Sequence, residues 1–130
     1  MLADRVAAMK YGAMAFEDGL THVVRKSAEF DTLASREISE SVAARRALQN
    51  LYELSGGENP DIAAAAEEAL NRETSEDDTH PSPNDRFRFT RRITTQTEPL
   101  ISGMVWDLFT NREALTLEMT SMIQGEIGRG

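Results

Sequence analysis

The segment that most restricts the backbone of this 130-residue chain is THPSPNDR, residues 79–86. Each proline ring fixes φ near the helical value, and Ser82 is a residue type favoured at helix N-caps. Pro83 then falls at the first helical position, where its missing N–H group costs no hydrogen bond. The segment therefore predicts a helix start, with His80 held just outside the helix and Arg86 about one turn inside it.

Apolar residues recur at helical spacing along most of the chain, and no segment shows sustained β alternation. The periodicity, together with glycine, proline and N-cap signals, predicts helices over residues 2–11, 13–33, 36–54, 59–71, 85–93, 98–109 and about 111–127. Ser35 is the expected cap of the third helix, and Ser55-Gly56-Gly57 its expected end. We therefore predict an all-α fold, a compact bundle of about five to seven helices in one domain spanning residues 1–130.

The C-terminal part carries its own local signals. Thr110 stands three residues before Glu113, the spacing of a capping box, and predicts the start of the last helix. Trp106 and the apolar stripe of that helix are interpreted as core or dimer contacts. The stripe comprises Leu115, Met119, Met122, Ile123 and Ile127. The acidic, turn-rich run at 72–78 predicts an exposed surface loop.

Composition excludes several classes of protein. The net charge of −8 argues against a nucleic-acid partner, because nonspecific binding depends on neutralising phosphates with Lys and Arg. The chain has no cysteine, which excludes disulfides and thiolate metal sites. No apolar run approaches the roughly 20 residues of a membrane span. The sequence therefore predicts a soluble, acidic, helical protein.

Few residues point to chemistry. His80 can act as an acid, a base or a hydrogen-bond donor, and Arg86 can bind a carboxylate through two parallel hydrogen bonds. His22 lies among apolar residues of the second helix, where packing or partial exposure is a simpler interpretation than a metal role. The sequence contains no His-Glu-x-x-His motif, no phosphate-binding glycine loop and no recognisable catalytic triad. From the residues alone, His80 and Arg86 fit either a functional site or an ordinary helix start.

Ala3-Asp4, His80-Pro81 and Arg86 occur in an order that resembles a known family. In the membrane-associated zinc metalloproteases of the CaaX prenyl endopeptidase and HtpX-like family, a glutamate zinc ligand precedes an Ala-Asp pair on one helix. A His-Pro motif follows later, with an arginine six residues after the histidine. The resemblance covers residues 1–93 and leaves 94–130 as a helical C-terminal extension. It implies that the chain is part of a larger gluzincin-type protease.

The resemblance also implies roles. Asp4 would support the helix that carries the glutamate ligand, and Arg86 would pair with Asp4. His80 would face the substrate carbonyl and stabilise the oxyanion that develops there. Because the zinc ligands are expected upstream of residue 1, the chain alone is expected to bind no metal or other cofactor and to be inactive. The expected partners are a peptide or protein substrate, the N-terminal protease half and a second copy of the chain in a homodimer. The parent protease is expected in a membrane, with this part on the cytoplasmic side.

A second interpretation belongs to a different class of protein. The chain would be a stand-alone helical module for protein interaction or dimerisation, without catalysis. His80 and Arg86 would then serve only the helix start. The two interpretations differ in whether Asp4, His80 and Arg86 act together in an enzyme.

Overall fold

A computed structural model describes residues 1–95 and 103–128. Its regular elements are α1 (Leu2–Tyr11), α2 (Ala13–Ala44), α3 (Pro60–Asn71), α4 (Pro83–Thr90), a 3-10 turn (Val105–Leu108) and α5 (Arg112–Ile127). No strand occurs within the described ranges, and the predicted all-α class is confirmed. None of the helices in these ranges combines the length and the apolar character that crossing a bilayer requires.

The chain divides into two units, where the sequence predicted one domain. Unit 1 comprises Met1–Ala28 and the described part of Pro60–Ile101, and unit 2 comprises Glu29–Asn59 and residues 103–128. Within unit 1, α4 packs against α1 and α3. Its deeply buried apolar residues are few and small, namely Ala8, Ala66 and Leu70. Specific polar contacts therefore contribute much to the positions of these helices.

Three helices of unit 1 follow the sequence signals. Helix α1 ends at Tyr11, and Gly12 adopts a φ of 89°, a left-handed conformation that glycine reaches at little cost. Helix α3 has the predicted span, with Pro60 as its first residue. Helix α4 begins at Pro83 and ends at Thr90, whereas the sequence predicted 85–93. Its start is set by the Ser82 cap, which admits Pro83 and Asn84 to the first turn.

The predicted break at Ser35 is wrong, because α2 continues through it to Ala44. A serine alone does not end a helix, and the Ser39 hydroxyl donates to the Ser35 carbonyl inside the continuous helix. The predicted helical stretch 46–54 is also wrong. Arg45 adopts a φ of 51°, the Arg45 N–H donates to the Val42 carbonyl, and the Arg46 N–H donates to the Ser41 carbonyl. This pattern is a Schellman termination with an arginine where glycine is usual.

The carboxylate of Glu37 explains why the chain reverses after Ala44. The Arg46 guanidinium donates to both of its oxygens, with 2.9 Å from Nη2 to Oε2. The Gln49 N–H and the Ser41 hydroxyl donate to Oε1, each at 2.8 Å. The hydrogen bond from Arg46, followed by that from the Gln49 N–H, lowers the pKa of Glu37 to about 2. Glu37 thus fastens the segment after α2 to the last turns of the helix.

Glu37→Gln is expected to lower the Tm by roughly 10 °C, because the buried cluster loses its charge while Arg46 keeps its own. The folded-state pKa of about 2 lies below the ordinary value of 4.5, so this contribution to stability is present above pH 4.5 and is lost as the pH falls toward 2. Thermal melts across this range should show the difference between wild type and variant shrinking on acidification. An equal difference at every pH would contradict the assignment. Glu118→Gln, at an exposed position of α5 in the same unit, is the matched control.

Helix α5 is present as predicted, but its start and its buried face differ from the prediction. Asn111 is the N-cap instead of Thr110, and its side chain accepts from the Ala114 N–H at 3.0 Å. Asparagine is the stronger capping residue. The deeply buried positions of α5 are Thr116 and Thr120, whereas Met122 of the predicted apolar stripe is 67% exposed.

Polar contacts attach α5 to residues 48–51 within unit 2. The Leu48 N–H donates to the Gln124 side chain at 2.7 Å, and the Leu51 N–H donates to the Thr120 hydroxyl at 3.1 Å. Asn50 donates to the Thr116 hydroxyl at 2.9 Å. Thr120 and Gln124 thus accept from backbone N–H groups of a non-helical segment, and hydrophobic periodicity gives no indication of that role.

The helix predicted over 98–109 is present only in part. Residues 98–102 lie outside the described ranges, and Val105–Leu108 form a single 3-10 turn. Trp106 is half-buried there. The centroid of the Trp106 ring lies 5.6 Å from that of Phe109 and 4.8 Å from the guanidinium carbon of Arg112. Both contacts are local, and the interpretation of Trp106 as a core or dimer contact stays a prediction.

Candidate functional site

The start of α4 has the geometry that the sequence predicted. The buried Ser82 hydroxyl accepts from the Asp85 N–H at 3.3 Å, and Pro83 is the first helical residue. Asp85 lies in the first turn, where the helix dipole stabilises its charge. The cap fixes the direction in which His80 and Pro81 enter the helix.

Arg86 and Asp4 form the contact that the resemblance predicted. The Arg86 side chain donates from Nε to Asp4 Oδ2 at 3.0 Å and from Nη2 to Asp4 Oδ1 at 2.8 Å. Two parallel hydrogen bonds match the planar guanidinium to the planar carboxylate and define their mutual orientation. The contact joins α1 to α4 across 82 positions of sequence.

The environment makes this contact more than a surface ion pair. Asp4 is 5% exposed and lies on the inner side of α1. The hydrogen bond from Arg86 lowers the pKa of Asp4 despite the opposing effect of burial. The Arg86 guanidinium carbon also lies 5.4 Å from the centroid of the Phe16 ring, a cation–π contact with α2. Arg86 therefore connects α4 to α1 and to the first turns of α2.

We call the contact between Asp4 and Arg86 the Asp4–Arg86 brace. His80 precedes Arg86 by six residues, just before the start of α4. It is exposed, and it forms no hydrogen bond within residues 1–95 and 103–128. Its charge, when protonated, adds to the lowering of the Asp4 pKa, which places the imidazole in the electrostatic neighbourhood of the brace. Both ring nitrogens are accessible to a ligand, so His80 can donate to or accept from a bound molecule.

Thr74 is a positioning residue that the sequence analysis missed. Its hydroxyl accepts from the Ser82 N–H at 2.7 Å and donates to Asp85 Oδ2 at 2.6 Å. The hydrogen bond from Thr74 is the largest cause of the lowered pKa of Asp85. The loop 72–78 is exposed as predicted, yet this threonine ties it to the helix start that follows His80. No spacing rule marks such a contact across eight residues.

Thr74→Val is expected to lower the free energy of unfolding by about 1–2 kcal/mol, because the N–H group of buried Ser82 loses its acceptor. Thr74→Ser keeps the hydroxyl and should remain close to wild type in the same urea titration. The amide of Ser82 should also exchange with solvent faster in the valine variant. Equal stability of both variants would show that the hydroxyl does not hold the loop.

Arg91, the C-cap residue of α4, makes a similar contact nearer the surface. Arg91 donates from Nε and Nη2 to the Glu17 carboxylate of α2 at 2.8 and 2.7 Å. The Arg91 side chain is 63% exposed, against 26% for Arg86. Because solvent screens it, this pair is a natural comparison for the Asp4–Arg86 brace. The sequence analysis did not identify it.

The described residues do not form a metal site of their own. No group of three or more His, Asp or Glu side chains in residues 1–95 and 103–128 is arranged to hold a metal ion. His22 is exposed on α2. Asp4 and Arg86 satisfy each other, which is the arrangement of a supporting pair and not of a ligand set. A zinc ion would need ligands from outside this set of side chains.

Comparisons with protein-family models, with curated proteins and with solved structures found no match to this chain. The geometry of the brace and of His80 is therefore the basis on which a function is proposed.

Proposed function

We propose that this chain is the C-terminal helical portion of a membrane-associated zinc metalloendopeptidase, similar to the CaaX prenyl endopeptidase and HtpX-like family. In this proposal the Asp4–Arg86 brace fixes α1 against α4. His80 contacts the substrate beside the metal site. The zinc ligands belong to the preceding part of the protease, and the chain alone does not hydrolyse peptides.

The observation that supports the proposal is the buried, two-point contact between Arg86 and Asp4. The resemblance requires Asp4 and Arg86 to be in contact. A chance match of two short motifs would give no reason for that contact. A buried carboxylate paired with an arginine also costs desolvation that a simple helix packing would not need. A role in holding catalytic groups is a reason for a protein to retain such a pair.

His80 has the properties that the proposed role needs. Its neighbours Pro81 and Ser82 are fixed by the ring of one and the buried cap of the other, so the main chain at His80 has little freedom. The imidazole is exposed, and it can donate a hydrogen bond to the carbonyl oxygen of a peptide. Such a donor, placed in advance where negative charge develops, stabilises the transition state more than the ground state. The zinc ion, when bound by the whole protease, supplies Lewis-acid chemistry.

The alternative function, a helical interaction or dimerisation module, is favoured by exposed apolar side chains. Leu2 is 77% and Met14 is 79% exposed, and Val6 is also exposed on α1. Large apolar side chains that remain exposed are available to bind a partner. In the alternative, a second copy covers them; in the protease, the N-terminal half does.

The natural reading frame upstream of residue 1 separates the two functions. The protease requires a glutamate codon at the position immediately before Met1, four residues before Asp4. It also requires a His-Glu-x-x-His motif and apolar membrane spans further upstream. An upstream region without these ligands would contradict the protease and favour the interaction module. Sedimentation of the isolated chain would then measure whether it dimerises.

A further inference from the structure

A groove with several arginines runs along α1 and α4 on a chain whose overall charge is −8. It consists of two adjoining hollows of about 450 and 500 Å³, which share Phe89 and Arg92. Each hollow lies in the size range of pockets that bind small ligands or a few side chains. We name this feature the arginine groove. Its lining residues include Arg5 and Met9 on α1 and residues between Pro81 and Ile93, in and around α4.

The charges of the arginine groove are largely uncommitted. Arg5 and Arg92 form no ion pair within the described ranges, and Arg88 makes only an exposed contact with Asp85 at 3.3 Å. Asp85 also lines the first hollow, and its negative charge offsets one of the three arginines. The groove therefore offers net positive charge to a ligand, although the protein as a whole repels anions.

The walls of the arginine groove are partly apolar. Met9, Phe89 and Ile93 line the hollows and are half-buried, so each presents apolar surface between the guanidinium groups. Free phosphate or another small anion would leave this surface uncovered. A ligand that carries both carboxylates and apolar groups would satisfy both features of the groove.

We propose that the arginine groove binds an extended, acidic peptide segment with interspersed apolar side chains. The eight residues of α4 extend roughly 12 Å at about 1.5 Å per residue, the length of about four residues of extended peptide. The three arginines complement the carboxylates of such a segment, and the apolar lining residues complement its apolar side chains. The proposal rests on the arginines and apolar residues that line the groove, and it uses neither His80 nor the Asp4–Arg86 contact.

Fluorescence anisotropy with the full 130-residue chain tests the proposal. The probe is a fluorescein-labelled peptide, Glu-Leu-Glu-Glu-Leu-Glu, and the comparison peptides replace every glutamate by lysine or every leucine by serine. Arg5→Glu/Arg92→Glu reverses the two unpaired charges. Arg36→Glu/Arg112→Glu is the matched control, since it makes the same change in net charge at exposed arginines outside the groove. Thermal melts establish that both variants fold.

The proposal expects the acidic peptide to bind, with affinity at least tenfold weaker in the groove variant and within about twofold of wild type in the control, because the ion pairs act over short distances at physiological salt. The lysine peptide should not bind, and the serine peptide should bind more weakly than the probe. Absence of binding to the acidic peptide, or equal weakening in both variants, would overturn the proposal. Binding of phosphatidylserine-containing vesicles, lost in the groove variant while the peptide fails to bind, would overturn it in favour of a membrane surface.

Discussion

Under the proposed protease function, replacing His80 with alanine in the full-length protein is expected to lower peptide turnover roughly a hundredfold while zinc stays bound. The variant removes one hydrogen-bond donor from the substrate carbonyl, and loss of a single such donor typically costs a factor of this size. His80→Gln retains an N–H donor and should recover part of the activity. A peptide hydrolysis assay measures turnover, and metal analysis of the same samples measures the bound zinc.

His22→Ala is the matched control for this prediction, since His22 is also exposed and lies on α2. It should leave turnover unchanged. Because His80 is exposed and makes no hydrogen bond within the described residues, neither variant should change the free energy of unfolding by more than about 0.5 kcal/mol. Full turnover in His80→Ala would remove His80 from the mechanism, and loss of zinc would assign it to the metal site instead.

The second large effect is expected at Arg86. Arg86→Met should lower the free energy of unfolding of the chain by about 3 kcal/mol, because it leaves the buried Asp4 carboxylate without its partner. Asp4→Asn should also destabilise the chain, and the double variant should be less destabilised than the sum of the two. Urea unfolding of the four proteins measures this coupling directly.

Arg91→Met, which breaks the pair between the exposed Arg91 side chain and half-buried Glu17, is the control at the C-cap of α4 and should lower the free energy of unfolding less than Arg86→Met does. The Asp4–Arg86 contribution should also depend on pH. Since the folded-state pKa of Asp4 is lowered from 3.8, the pair stabilises the chain above that pH and loses its effect as the pH falls further. A coupling near zero at neutral pH, or equal effects of Arg86→Met and Arg91→Met, would show that the brace does not hold the fold.

The features predicted correctly depend on neighbouring residues or on a stated resemblance. Ser82 and Pro83 specify a helix start because capping and the fixed φ of proline act within one turn. The Asp4–Arg86 contact spans the chain, and periodicity alone gives no reason to pair these residues; the resemblance supplied that expectation. The roles that the resemblance gives to the pair and to His80 stay predictions.

The features that were missed depend on side chains that meet only after folding. Glu37 ends a helix by binding Arg46 and a backbone N–H group beyond it, which no glycine or proline announces. The Thr74 hydroxyl accepts from the Ser82 N–H across a loop. The buried Thr120 hydroxyl accepts from the Leu51 N–H, which lies in a non-helical segment. Hydrophobic periodicity assigns such residues to the surface, since it does not register polar groups that satisfy buried backbone.

Zinc-dependent peptide hydrolysis by the full-length protein tests the central claim most directly. The protein should hydrolyse an unstructured peptide, lose this activity on chelation and regain it with zinc, and Arg86→Met should impair it. A full-length protein that binds no zinc, or whose Arg86→Met variant folds and hydrolyses peptide as wild type does, would contradict the account.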